Sequence, residues 1–457
     1  MSDTPAHVKT LGRRDIVLFT VSAILLLDTL AAGAAVGPAA VFWWIFLGIV
    51  FFVPYALISA EMGTTYPEQG GLYAWIRDAF GRRWASRATW AYWINTAVWM
   101  PAGYILFAGV FTQMFMPGMS LAAQIGLGVA LTWIAVIINV VTLDVGKWIP
   151  NLGALFKLVI IVAIIIGAVL YTAEHGMANT LTFESMRPGF DGSLEYFSVI
   201  IYGMLGFELV SAGSDEMKNP ARDVPVSILV SGLIIISMYT LATVAILAAI
   251  PAGDIDLVEG LVDTLRLFFG GTPAGDAFAI ALGIGALYTF FANGVTWALG
   301  CNRAMAEAAQ EHEFPALLGR ERAVVSTPVG AAVMMGCVST AALLLYGLMA
   351  ESSEGMFWSL FAFSAAIFLI PYIILVFAFL RMRYIDGERH RPFRVPGGNG
   401  VAALLALTCG AILAFTLLLF VYTPGEGINW PIFGGAVTVV AFGELLIRYS
   451  ESVRGRN

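Results

Sequence analysis

Charged side chains are scarce in this sequence. Asp, Glu, Lys and Arg make up 12% of its 457 residues, against about 25% in a soluble domain, while 59% are apolar. Such a chain cannot cover itself in polar side chains. One soluble core of this size is also excluded, because single cores stop growing near roughly 250–300 residues. Cysteine is rarer still: Cys301, Cys337 and Cys409 lie in or beside apolar stretches, which argues against a disulfide framework or a metal cluster. None of His7, His175, His312 and His390 falls inside an apolar span, so a histidine proton relay within a membrane has no carriers. A Walker loop, an H-E-x-x-H zinc motif and a nucleophile–base pair are missing too. That removes ATP-driven transport by this chain alone and an intramembrane enzyme, and no cofactor is called for.

What is present is apolar length. A spanning helix needs about 20 predominantly apolar residues, and twelve segments qualify. They lie roughly at 16–38, 40–60, 90–115, 121–143, 149–171, 194–214, 225–250, 277–300, 326–349, 356–380, 400–422 and 429–448. The polar start, 1–15, runs directly into the first of them and past Leu25, so it reads as a tail before a retained helix rather than a cleaved signal. Of the 24 Lys and Arg, all but Arg187, Arg266 and Lys157 fall on the side of the N-terminus. The opposite loops carry Glu174, Glu184, Asp191, Asp254, Asp256, Glu259 and Asp263 instead. The positive-inside rule then places both termini, including the tail 449–457, in the cytoplasm. The same scatter of basic residues along one membrane face excludes nucleic acid as a partner.

Two spans combine carboxylates with helix breakers. The first contains Asp28, Ala31, Ala32, Gly33, Gly37 and Pro38; the sixth contains Tyr202-Gly203-Met204-Leu205-Gly206-Phe207-Glu208. Counted as five spans per repeat, spans one and six are equivalent, as in transporters built from inverted repeats with discontinuous helices. Unwound backbone is tolerated at membrane depth only where protein or a cavity surrounds it. Small residues also serve close helix packing, but a carboxylate in each segment is functional by default.

Specific motifs then appear in order. Glu61-Met62-Gly63-Thr64-Thr65-Tyr66-Pro67-Glu68-Gln69-Gly70-Gly71 follows the second span. Gly206-Phe207-Glu208 and Asp215-Glu216-Met217-Lys218-Asn219-Pro220-Ala221-Arg222-Asp223-Val224-Pro225 follow the sixth break. Arg303 to Pro315 and Arg391-Pro392-Phe393-Arg394-Val395-Pro396 come later. Together they resemble the amino acid–polyamine–organocation superfamily. The resemblance implies an all-α membrane protein of twelve transmembrane helices with a LeuT-like five-plus-five inverted repeat, 16–171 and 194–380, and two further helices in 400–448. It implies alternating access around a central site on helices one, three, six, eight and ten, of which one and six are discontinuous, a bacterial inner membrane, and a homodimer as the assembly to test. It also implies a helix-one break whose amides hold a substrate carboxylate. Here Ala31-Ala32-Gly33 stands at that place, so Ala32 and Gly33 are candidate ligands, with Asp28 three residues ahead of Ala31.

Asp28 and Glu208 are the leading candidates for the cavity. Two carboxylates in one pocket repel unless a cation intervenes or one is protonated, which points to cationic amines. The alternative for Asp28 is a bond to a neighbouring polar group away from substrate, and Glu208 is equally a proton carrier or gate. Lys157 resembles a family position where an ammonium replaces a sodium ion, which makes it a candidate for proton coupling; the alternative is snorkelling towards the cytoplasm. Trp99 lies in a region that lines the site in relatives, Tyr202 precedes the sixth break, and Trp297 stands ahead of Pro315 at the spacing of a substrate-contacting tryptophan in arginine/agmatine exchangers. Gly203, Gly206 and Phe207 complete the set. Each aromatic alone is packing; as a group they fit an amine cavity through cation–π attraction. Asn293, Tyr288, Ser359 and Ser364 are weaker candidates. The readings are a proton-coupled symporter of amines or amino acids, an obligate amino acid/amine exchanger, and a nutrient sensor that binds but hardly transports.

Overall fold

The computed structural model describes residues 12–67, 71–141, 148–188, 193–209, 219–255, 260–321, 327–423, 425 and 427–454. The first apolar run is split into α1 (Arg13–Ile24) and α2 (Leu27–Ala35), bent by 54°. Helices α3 (Ala39–Leu47) and α4 (Val53–Thr65) form one rod through a π-turn at Gly48–Phe52. The widened turn sits just ahead of Pro54, which has no N–H to donate and crowds the turn before it. A short helix, α5 (Leu72–Phe80), buries Leu72, Tyr73, Trp75 and Ile76 and meets α6 (Arg82–Phe115) at Gly81. There follow α7 (Leu121–Val141), α8 (Trp148–His175), the short α9 (Ser193–Tyr202) and α10 (Pro220–Ala249). A second short helix, α11 (Gly260–Phe269), precedes α12 (Pro273–Gln310), α13 (Val329–Gly347) and α14 (Ser353–Ile385). The chain closes with α15 (Gly398–Val421) and α16 (Trp430–Arg454), joined by a hairpin that pairs Tyr422–Thr423 with Gly427–Ile428.

Ten of these helices are long and apolar enough to cross a membrane, and the bent α1–α2 pair makes an eleventh. The sixth expected span is represented by α9 and one 3-10 turn at 207–209, beyond which residues 210–218 lie outside the described set. The tail 1–11, the Asp215–Lys218 part of the sixth-span motif and residues 455–457 also fall outside it. Helices α5 and α11 occupy stretches that hydropathy treats as connections, because they are too short to span.

Helix α6 is the centre of the bundle and α16 its edge: 83% of the α6 apolar window is buried against 11% for α16. Ala85, Ala88, Ala91, Ala97 and Ala102 let neighbours approach α6 closely, whereas α16 leaves Val437, Val440, Phe442 and Leu445 exposed, as a lipid-facing helix does. At the end of α14 a buried charge cluster ties distant segments together. The Glu61 carboxylate of α4 accepts from Arg383 (2.9 and 2.5 Å), from Arg391 Nε (3.1 Å) and from the Val395 N–H (2.7 Å). Both carboxylate oxygens are bonded, which is what a buried carboxylate requires.

Candidate functional site

The last four carbonyls of an α-helix have no partner within the helix, and in an apolar bundle each needs one from elsewhere. At the end of α1 all four are met. The Val21 carbonyl accepts from the Leu25 N–H at 3.0 Å. Lys157 of α8 donates to the Ser22 carbonyl at 2.6 Å, and Trp297 of α12 donates from Nε1 to the Ala23 carbonyl at 3.1 Å. Tyr239 of α10 donates its hydroxyl to the Ile24 carbonyl at 2.8 Å, and the same oxygen accepts from the Leu26 N–H at 2.8 Å. The break therefore falls at Leu25–Leu26, not at Ala31-Ala32-Gly33. Ala32 and Gly33 lie inside α2, where backbone amides serve the helix ladder. Gly33 serves close packing, since a Cβ there would stand 3.1 Å from the Trp44 ring, which stacks on Tyr239 at 4.3 Å.

The sixth-span break is where the glycines foretell it. Helix α9 ends at Tyr202, Gly203–Met204 form a turn, and one 3-10 turn covers 207–209. Gly206 has φ +130°, a conformation that side chains rarely adopt. A Cβ on Gly203 would lie 2.7 Å from Thr29 Cγ2, and one on Gly206 3.0 Å from Ile24 Cγ1 and 3.2 Å from the Trp297 ring. The two breaks thus pack directly on each other, with Trp297 beside both.

Glu208 emerges from the second break into a cage of phenols. Tyr55 of α4, Tyr92 of α6 and Tyr372 of α14 donate to its carboxylate at 2.7, 2.9 and 2.6 Å. It is 2% exposed. These three tyrosines escape sequence reading, since a single Tyr in an apolar span reads as interfacial or packing.

Asp28 occupies different surroundings. It lines a small cavity together with Leu26, Leu27, Trp99, Lys157 and Asn293, while Glu208 is not among the walls. Among the described residues the two carboxylates do not share this pocket; helix rotation, which spacing does not encode, separates them. Asp28 Oδ1 accepts from the Thr29 N–H at 3.0 Å. Lys157 is 1% exposed and turns inward to Ser22 and to Asn293 Oδ1 at 3.3 Å, which rules out snorkelling. Between Asp28 and Glu208 runs an aromatic layer. Trp297 approaches Trp99, Tyr92 and Phe368 at 6.2, 6.1 and 5.3 Å, and Tyr202 approaches Phe368 at 5.1 Å. Phe207 turns away from the cavity towards Phe52, at 4.8 Å. Of the weaker candidates, Asn293 joins the site. Tyr288 bonds the Ile149 carbonyl, while Ser359 and Ser364 bond the Gly355 and Phe361 carbonyls of their own helix.

Comparison with known proteins shows the family and the fold. The family model described as amino acid permease matches residues 11–442. A probable agmatine/putrescine antiporter of Lactococcus lactis is 35% identical over 442 residues, 94% of this chain and 93% of the relative. An uncharacterized transporter of Legionella pneumophila is 31% identical over 408 residues, 87% of this chain and 86% of the relative. Among solved structures, a manganese transporter of Eremococcus coleocola superposes with a TM-score of 0.63, covering 98% of both chains at 11% identity. That last likeness concerns the fold alone, that of a LeuT-like transporter.

Proposed function

Given that this chain belongs to the amino acid permease family, we propose that it is a secondary transporter that exchanges cationic amines, one for another or for a parent amino acid, by alternating access. The observation that carries this reading is Asp28, a carboxylate on the wall of a cavity inside the apolar body, beside the unwound Leu25–Leu26 link. On the cavity wall the Asp28 carboxylate offers an incoming ammonium an oppositely charged partner. Trp99 adds a π face worth about 0.5–2 kcal/mol to a cation. The printed name of the Lactococcus lactis relative supports both the amine and the exchange. The distribution of Lys and Arg supports both termini lying in the cytoplasm, and the bacterial relatives support a bacterial inner membrane; the paired breaks support twelve spans as a five-plus-five repeat plus two.

A second reading, proton-coupled uptake, is favoured by Lys157. Its ammonium closes the Ser22 carbonyl of α1, so loss of that proton would loosen the half-helix that must swing during access. Counterflow in proteoliposomes separates the two. Under exchange, labelled agmatine or putrescine enters only vesicles preloaded with unlabelled amine. Accumulation in empty vesicles under an inward proton gradient replaces exchange with proton-coupled uptake. Absence of amine entry under both conditions overturns the proposal.

A further inference from the structure

We propose that the corner where α14 turns towards α15 binds an anionic phospholipid, whose phosphate is held by Arg381 and Arg394. The proposal goes beyond the transport reading and is independent of the substrate carried. The second half of α14 is closed on most sides, with Val376, Phe379, Met382 and Arg383 buried. Its open face is a stripe of Phe377, Arg381 and Tyr384, of which Phe377 is 41% and Tyr384 90% exposed. Residues three and four apart share one helix face, so the stripe passes from apolar to basic to aromatic within about two turns. That is the order of a bilayer from acyl chain to headgroup, where an Arg reaches out of the apolar layer and a Tyr sits at the interface. Phe377 also packs on α15, since a Cβ on Gly410 would stand 3.5 Å from its ring. The first turns of α15 add exposed Val401 and Leu404, so both helices offer acyl chains an apolar surface beside the basic end.

Charge selects an anion here. Between 381 and 394 the chain carries five arginines against Asp386 and Glu388. Arg383 and Arg391 converge on the buried Glu61, and Arg389 meets Asp386 at 3.5 Å. Arg381 and Arg394 are exposed and form no ion pair among the described residues, so with Glu388 counted the corner stays net positive. Basic residues at this depth beside a spanning helix recognise anionic headgroups. The Arg381 guanidinium lies over the Phe80 ring of α5 at 5.3 Å, and a guanidinium held on an aromatic face keeps its N–H fork for phosphate. Arg394 donates to Asn399 Oδ1 at 3.2 Å, and the same oxygen accepts from Arg383 at 3.1 Å. A phosphate on Arg394 is thus one shared acceptor away from the Arg383–Glu61 pair that ties α14 to α4, and the lipid steadies that joint.

The test is native mass spectrometry of the purified full chain, titrated with phosphatidylglycerol or with phosphatidylcholine of the same acyl chains. A basic residue near an anionic lipid surface is worth about a factor of five in affinity. The wild type should therefore prefer phosphatidylglycerol by at least about tenfold. Arg381→Gln and Arg394→Gln should each weaken phosphatidylglycerol about fivefold, and the double variant about 25-fold, with phosphatidylcholine unchanged. Both changes fall on exposed side chains, and should one variant fail to fold the other carries the test. Arg82→Gln is the control, an exposed arginine already paired with Glu311 at 2.9 Å, and it should keep the wild-type preference. Equal affinity of the wild type for the two lipids, or an undiminished preference in the double variant, overturns the proposal. An equal loss in Arg82→Gln reduces the preference to general surface charge and overturns it as well. Inorganic phosphate should not displace the lipid; displacement by phosphate at matching concentration assigns the corner to a free anion instead and overturns the lipid assignment.

Discussion

Tyr239→Phe removes one oxygen atom from α10 and with it both hydrogen bonds that close the α1–α2 break, each 2.8 Å long. Tyr239 is fully buried, so neither the Ile24 carbonyl nor the Leu26 N–H finds water in exchange. Leaving a buried polar group unpaired costs about 1–3 kcal/mol. Two such groups give about 2–6 kcal/mol, reduced by the desolvation that the hydroxyl no longer undergoes. Packing is preserved, because the ring keeps its stack on Trp44 at 4.3 Å and 8°. The control is Tyr104→Phe. The Tyr104 hydroxyl is equally buried but has no partner among the described residues, so its removal should be neutral or stabilising. Thermal unfolding of the two variants in one detergent, with counterflow rates alongside, gives the comparison. Tyr239→Phe should unfold at lower temperature than wild type and exchange more slowly; Tyr104→Phe should match or exceed wild type in stability. Equal melting of the two variants refutes the argument that this hydroxyl holds the break.

The other predictions concern charge. Glu61→Gln breaks a buried cluster that includes Arg383 and Arg391 and should destabilise the fold by about 3–5 kcal/mol; melting within about a degree of wild type would contradict this. Lys157→Ala should abolish any uptake driven by a proton gradient while slower counterflow persists, and retained proton-driven accumulation would remove Lys157 from coupling. Glu313, outside the spans, has its carboxyl held above the ordinary 4.5 by burial, against the lowering effect of hydrogen bonds from Ser86 and Tyr73 and of the Arg82 charge. The folded state then keeps a proton that the unfolded chain has lost, so this contribution is full below 4.5 and declines as pH rises through the raised value. Glu313→Gln should flatten that part of the stability–pH curve, and an unchanged slope in melts across about pH 4 to 8 would refute it.

How much of this is legible in the sequence depends on whether a feature is local. Span positions follow from apolar length, because lipid leaves no other solvent for such segments. The sixth break is legible because Gly206 must adopt φ +130° and Gly203 must admit Thr29, and both demands fall on residue type. The first break is not. Leu25 and Leu26 have φ/ψ of −76°/103° and −105°/128°, extended values that any residue adopts. What permits the chain to unwind there is a set of partners on α8, α10 and α12, remote in sequence. The Ala31-Ala32-Gly33 segment looks like a break by composition, yet its glycine answers to Trp44. The phenol cage of Glu208 is hidden for the same reason, since Tyr55, Tyr92 and Tyr372 converge only through the fold. The consequence is mechanistic. A break written into glycine persists whatever its neighbours do, whereas a break held open by Lys157, Trp297 and Tyr239 lasts only while those three donors stay in place. The half-helix α1 is therefore the more conditional of the two, because its last carbonyls depend on donors from three other helices.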